Sequence, residues 1–152
     1  MNLDQSVLGE ELMVTVVALR RLVRRRLRSL VGGPPLRGAQ VELLQVIEKQ
    51  PGIGITPAAR VLHLATNTVS MLVEQLIGLG MVLRQTDPDD RRAAQLWLTE
   101  AATQRLAAGR QARTELVAGG LAKLPVADRE ALTGALPALR ALLVALETGE
   151  GR

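Results

Sequence analysis

The stretch from Thr56 to Thr99 constrains the fold of this 152-residue chain more than any other. Thr56 is placed to cap free backbone N–H groups with its hydroxyl, and Pro57 follows at a first helical position, where no N–H is needed. The sequence therefore predicts a helix through Ala58-Ala59-Arg60-Val61-Leu62, with His63-Leu64-Ala65 making a turn. Beyond the turn, Val69, Leu72, Val73, Leu76 and Leu79 recur at spacings of three and four, an apolar stripe of helical period that must face a core. Thr66, Asn67, Ser70, Met71, Glu74 and Gln75 fall on the opposite face, and Gly80 suits a left-handed C-cap.

Met81–Gln85 and Ala93–Thr99 read as two short strands around Thr86–Arg92, a turn rich in Pro and Asp. Helix, turn, helix and charged hairpin is the order of parts in a winged helix-turn-helix. In that arrangement the N-terminal residues of the second helix meet base edges in the major groove. A hairpin tip bearing Arg91 and Arg92 can place a guanidinium in a narrow minor groove, with Asp90 near enough to orient it. Phosphates attract the remaining arginines, Arg84 on the first strand among them.

These residues resemble the MarR-type regulators, dimeric winged-helix transcription factors often released from DNA by small molecules. The resemblance rests on Ala58-Ala59-Arg60-Val61-Leu62-His63-Leu64, on Thr68-Val69-Ser70 with Leu72-Val73-Glu74-Gln75-Leu76, and on Gly80-Met81-Val82. Above all it rests on Asp87-Pro88-Asp89-Asp90-Arg91-Arg92 followed by Leu96-Trp97-Leu98-Thr99. By that likeness Arg92 matches the wing-tip arginine and Asp90 its acidic partner. Thr66, Asn67, Thr68, Ser70 and Met71 match the groove-facing positions. The second helix departs from the family in lacking Arg and Lys, with Met71 where a basic residue is common. Ala65 stands where a capping Ser is usual, so the cap must shift to Thr66 or Asn67 or be lost.

The length suits one domain, with a DNA-binding lobe at about 36–99 and helical dimerisation parts at 1–35 and about 100–152. Apolar residues make up 47% of the chain, yet Phe and Tyr are absent and Trp97 stands alone, so the core must be aliphatic and favours packed helices. The expected fold class is mainly α with a small β-hairpin wing. A first helix over about Leu3–Leu30 is stopped by Val31-Gly32-Gly33-Pro34-Pro35, and a second spans Gly38–Lys49 with Val41, Leu44 and Ile47 buried. Thr99 caps a helix running to about Val117, and a break is expected at Gly119-Gly120 and Pro125. A last helix follows over Ala127–Glu147, with a kink or boundary at Gly134 or Pro137. Long apolar faces at both ends predict that two copies cover each other. A homodimer of that kind sets two recognition helices about 34 Å apart on a pseudo-palindromic site.

Other readings are weaker. The net charge of +4 is carried mostly by arginine, 17 of the 19 basic residues, which suits phosphate but equally reflects codon bias. Arg20, Arg21, Arg24, Arg25, Arg26 and Arg28 are interleaved with Leu22, Val23 and Leu27, so this run reads as the solvated face of an amphipathic helix, some of whose arginines pair with acids of the partner chain, ahead of a nucleic-acid or acidic-lipid patch. His63, the only histidine, reads as a packing or capping residue, and Asp87, Asp89 and Asp90 lack the spacing of a calcium loop. No cysteine, glycine-rich phosphate loop or convergent acid–base set points to an enzyme, a metal or a cofactor. The charges near the N-terminus stand in the wrong order for a signal or membrane span, so a cytoplasmic protein without membrane contact is expected. A small-molecule effector would occupy a cleft lined by aliphatics and Trp97, His63 or arginine. The function expected is a sequence-specific repressor of transcription that binds double-stranded DNA. The alternative is a winged-helix dimer serving as a protein-interaction module, and the missing basic residue in the recognition helix is its best support.

Overall fold

The computed structural model describes residues 4–86, 88–90 and 93–149. Its elements run α1 (Gln5–Leu30), α2 (Gly38–Lys49), α3 (Ile55–Leu62), α4 (Thr66–Gly78), β1 (Val82–Thr86), β2 (Ala94–Leu98), α5 (Glu100–Leu121) and α6 (Val126–Gly149). They divide into two compact units, residues 1–113 and 114–152.

The first unit holds the expected winged helix-turn-helix around an entirely aliphatic core. Leu43, Leu44 and Ile47 of α2, Ala58 and Ala59 of α3, and Val69, Leu72, Val73 and Leu76 of α4 are buried together with Ile53, Met81, Val82, Leu96, Ala102 and Leu106. Each fully buried Leu or Val contributes about 1.5–3 kcal/mol. Leu43 joins Leu44 and Ile47 inside, whereas Val41, expected there, is only half-buried. Leu79 is likewise outside the stripe, because α4 ends before it and leaves it 37% exposed at the C-cap.

Two left-handed corners shape the helix-turn-helix. At the end of α3 the Leu64 N–H bonds the Ala59 carbonyl (3.0 Å) and the His63 N–H bonds the Arg60 carbonyl (3.2 Å). At the end of α4 the Met81 N–H bonds the Leu76 carbonyl (2.9 Å) and the Gly80 N–H bonds the Ile77 carbonyl (3.0 Å). Both are Schellman motifs, whose pivot requires positive φ. Gly80 meets that requirement at φ 69°, and His63 meets it at φ 52° as a non-glycine residue. The expected capping role of His63 is therefore exercised by its backbone.

The hairpin is an antiparallel pair with Val82 opposite Leu98 and Thr86 opposite Ala94. Its base is tied down from both sides. On the free edge of β2, the Gly52 N–H donates to the Leu96 carbonyl (2.9 Å) and the Leu96 N–H to the Ile53 carbonyl (3.0 Å). Gly52 has φ 83°, and a side chain there would press on the Trp97 ring. At the other side Thr99 donates its hydroxyl to the Gly80 carbonyl (2.7 Å) and accepts the Ala102 N–H (3.1 Å). One side chain thus caps α5, as expected, and fastens the hairpin to the end of α4.

Several boundaries differ from expectation. The N-cap of α3 is Gly54, not Thr56, and the first helical bond runs from the Ala58 N–H to the Gly54 carbonyl. Pro57 fits the third helical position because that N–H would also be unpaired. The break expected at Gly119-Gly120 is absent, and α5 continues to Leu121 before a turn that ends at Pro125. Neither Gly134 nor Pro137 divides α6.

Outside the aliphatic core the helices are bare. No residue of α1 or α6 is buried among the described residues, and Val7, Leu8, Met13, Val14, Val16, Val17, Leu19 and Leu22 of α1 are exposed. On α6 the exposed set includes Leu132, Leu136, Leu143, Val144 and Leu146, and its Val126–Thr148 stretch is long and apolar enough to cross a membrane by composition.

His63→Gly should hold or raise stability by up to about 1 kcal/mol, because glycine relieves the positive-φ cost that a Cβ imposes. Chemical denaturation checks this; a loss larger than about 1 kcal/mol would mean that the imidazole makes a contact the fold needs.

Candidate nucleic-acid interface

Burial of Val69, Leu72, Val73 and Leu76 fixes the rotation of α4, so the residues between them must point outward. Thr66, Asn67 and Met71 are exposed, Met71 by 55%, and Thr68 and Ser70 are half-buried at the flanks. The structure thus brings the five sequence-predicted α4 residues onto one helix, three of them fully outward. Gln75, expected on this face, is half-buried instead. Its Oε1 accepts from the Nε2 of the buried Gln40 on α2 (3.1 Å). Gln40 is itself held by the Arg37 N–H, which donates to its Oε1 at 2.8 Å, so the buried amide is satisfied on both sides.

The start of α4 carries no side-chain cap from Ala65. Asn67 supplies a partial replacement, its Oδ1 accepting the Thr68 N–H at 2.9 Å. That bond leaves the Asn67 Nδ2 as the outward donor. Of the outcomes the sequence allowed, the loss of the side-chain cap is the one realised, with Ala65 remaining the N-cap residue.

Arg84 does not stand free on the wing. It shares the Val82 side of β1 and meets Glu74 of α4, with Nη2 to Oε1 at 2.8 Å. Glu74 was legible as a groove-face residue from the periodicity but was not named as a site residue. The signal that could have found it is its charge: it is the only ionisable side chain on α4. Asp90 is exposed near the hairpin tip. Arg91 and Arg92 lie outside the described residues.

Two of the exposed arginines of α1 reach α2 of the same chain. Arg20 pairs with Glu42 of α2 at 3.3 Å, and the Arg24 guanidinium lies against Gly38, where a side chain would collide with it. Arg20 thus finds its acid within the same chain. Between the start of α3 and the wing base lies a shallow open depression lined by Gly52, Gly54–Pro57, Asp90 and Ala93–Gln95. Trp97, predicted to line an effector cleft, packs over Gly52, and its buried Nε1 has no hydrogen-bond partner among the described residues.

Residues 36–94, from α2 to the wing, match the model of the MarR family. The likeness to the MarR family is carried by this lobe, which is under half of the chain. A Thauera aromatica protein, named as a transcriptional regulatory protein for the hcr operon, is 33% identical over 97 residues. The match covers 64% of this chain and 58% of that protein, so the chain spans under two thirds of this relative's length. Among solved structures, a transcriptional regulator protein from Pseudomonas aeruginosa superposes with a TM-score of 0.79 at 22% identity, covering 93% of this chain and 98% of that one. Streptococcus pneumoniae FabT, solved in complex with DNA, superposes with a TM-score of 0.72 at 19% identity, over 94% and 99% of the two chains. A MarR transcriptional regulator from Methanosarcina mazei gives 0.64 at 16% identity, over 93% and 99%. At these identities the likeness to solved structures establishes the winged-helix fold.

Within this lobe, the uncapped start of α4 has a measurable consequence. Ala65→Ser should supply the missing acceptor and raise stability by about 1 kcal/mol. Thermal denaturation reads this directly, and no gain would mean that the Asn67 bond already does the work of a cap.

Proposed function

We propose that this MarR-family chain is a sequence-specific DNA-binding regulator of transcription that acts in the cytoplasm as a homodimer on a pseudo-palindromic operator. One observation carries the reading. A core-locked helix presents Thr66, Asn67 and Met71 outward from a lobe whose wing is fastened to the same helix. Thr66, Asn67, Thr68 and Ser70 supply hydrogen-bonding groups for base edges, and Met71 supplies an apolar contact of the kind a thymine methyl accepts. Arg91 or Arg92, oriented by Asp90, enters the minor groove by the sequence reading, and the remaining contacts are to phosphate. The names of the relatives support the assignment, one being a regulator of an operon and another a protein solved with DNA. The reading assigns the chain no catalytic step.

Repression follows from occupancy of the promoter. A small molecule that releases the DNA must bind preferentially to a dimer whose lobes are spaced wrongly for the two half-sites, since equal affinity for both states would shift nothing.

The test is sequencing of duplexes retained from a randomised DNA pool at near-physiological salt, where non-specific binding is suppressed. An enriched inverted repeat is expected, and Asn67→Ala should relax the preference at particular base pairs. No enrichment would favour the protein-interaction module, which the outward face of α4, free of Arg and Lys, would then serve.

The dimer is supported by the exposed apolar faces of α1 and α6, which no part of a single chain buries among the described residues. Leu143 and Leu146 are each 62% exposed, so replacing them costs the isolated fold little. Leu143→Arg should convert the protein to a monomer by light scattering while leaving its helical circular dichroism unchanged. A variant that stays dimeric would remove this part of α6 from the interface.

A further inference from the structure

The ion pair between Glu74 and Arg84 joins the outward face of α4 to the wing, and it changes what the lobe presents to a polyanion. Glu74 follows Asn67 by seven residues, Ser70 by four and Met71 by three, so it continues the same helical face one turn further on. It is the only charged side chain on α4, and it lies in the second half of the helix, away from the positive end of the helix dipole. A bare carboxylate on this face would be repelled by the phosphates that line a groove. Arg84, from the strand packed beside it, sits 2.8 Å away and cancels that charge. Both side chains stay in contact with solvent, at 37% exposure for Arg84 and 62% for Glu74, so the pair adds little to folding stability. Its effect is on the field outside the protein.

Resting on the reading of this lobe as a DNA binder, we infer that Glu74 is a specificity-determining residue that holds the Arg84 guanidinium in a net-neutral pair and so keeps it from gripping phosphate regardless of sequence. A guanidinium on phosphate strengthens binding to every duplex alike, because the backbone carries no sequence information. Neutralising it inside the protein lowers affinity for random DNA and leaves the donors of α4 to decide where the protein rests. Glu74 thus acts as an electrostatic brake on non-specific binding. The recognition helix needs that brake because its own readers are uncharged and individually weak.

The experiment measures fluorescence anisotropy of the full chain on two labelled duplexes, one recovered from the randomised pool and one scrambled, at several salt concentrations. Wild type, Glu74→Gln, Arg84→Ala and the double variant are compared, each checked for unchanged circular dichroism and elution volume. Glu74→Gln should bind the scrambled duplex at least about threefold more tightly at low salt. Its salt slope should steepen by about 0.9 for each guanidinium newly engaged, or about 3.5-fold in affinity across a fourfold salt range. The ratio of specific to random affinity should fall.

Arg84→Ala, which leaves the carboxylate uncompensated, should weaken binding to both duplexes. The double variant, neutral again at this point, should return to the wild-type slope. If Arg84 is instead an ordinary phosphate contact, the double variant will behave like Arg84→Ala and Glu74→Gln will change nothing, which overturns the proposal. A selective loss of affinity for the recovered duplex in Glu74→Gln also overturns it, because Glu74 would then be reading a base. Failure of wild type to bind any duplex would be a different result, removing the DNA-binding reading itself.

Discussion

Everything the lobe presents outward depends on burying Val69, Leu72, Val73 and Leu76 against α2, α3 and β1. These four side chains set the rotation of α4, and hence which of its residues face solvent. The core around them has no aromatic member, so no single large ring fills it. Close packing of many branched aliphatics must do so instead, and such cores respond to the loss of even one methylene. The outward placement of Thr66, Asn67 and Met71 is thus a consequence of aliphatic fit and needs no interaction of their own.

Orientation about the helix axis would mean little if the wing were free to swing, and Thr99 removes that freedom. Its hydroxyl bonds the Gly80 carbonyl at the end of α4, its oxygen caps α5, and its N–H bonds the Met81 carbonyl. On the opposite side the Gly52–Ile53 backbone extends the sheet along β2. The hairpin is therefore fixed at its base by Thr99 and along β2 by Gly52–Ile53. The left-handed corners at His63 and Gly80 serve the same end, since each reverses the chain within a residue and satisfies the last carbonyls of its helix.

Most of this was legible because it is local. The stripe on α4, the glycine after it and the Thr99 cap are each set by neighbours within a few residues, and the structure places them nearly where the sequence does. What escaped was decided either by degeneracy or by distant partners. Pro57 suits any first-turn position, so it could not distinguish Gly54 from Thr56 as the cap. Gly119 and Gly120 each cost about 1 kcal/mol in a helix, but the chain offers no better turn before Pro125, and the helix runs on. Gln75 looked outward by periodicity and is drawn in by Gln40, thirty-five residues away. For the site, the α4 residues were readable from the helical period, whereas the capture of Arg84 by Glu74 depends on how strand and helix pack.

That capture fits a pattern in how this chain spends its arginines. Arg20 is paired with Glu42, and Arg110 holds Glu48 through both carboxylate oxygens at 2.8 and 3.1 Å. Arg105 donates to the Gly32 and Pro34 carbonyls, tying the turn after α1 to α5, and Arg84 is tied to Glu74. A planar guanidinium with several fixed donors suits such clamps better than an ammonium does, which gives the arginine bias a structural purpose independent of nucleic acid. The net charge of +4 is therefore a poor measure of the lobe's pull on DNA. In the proposed reading, the outward face of α4, its one charge cancelled, gains affinity only where its hydroxyls, its amide and Met71 find matching base edges. Contacts of that kind are worth little on random sequence, so on that reading this surface supplies discrimination rather than strength.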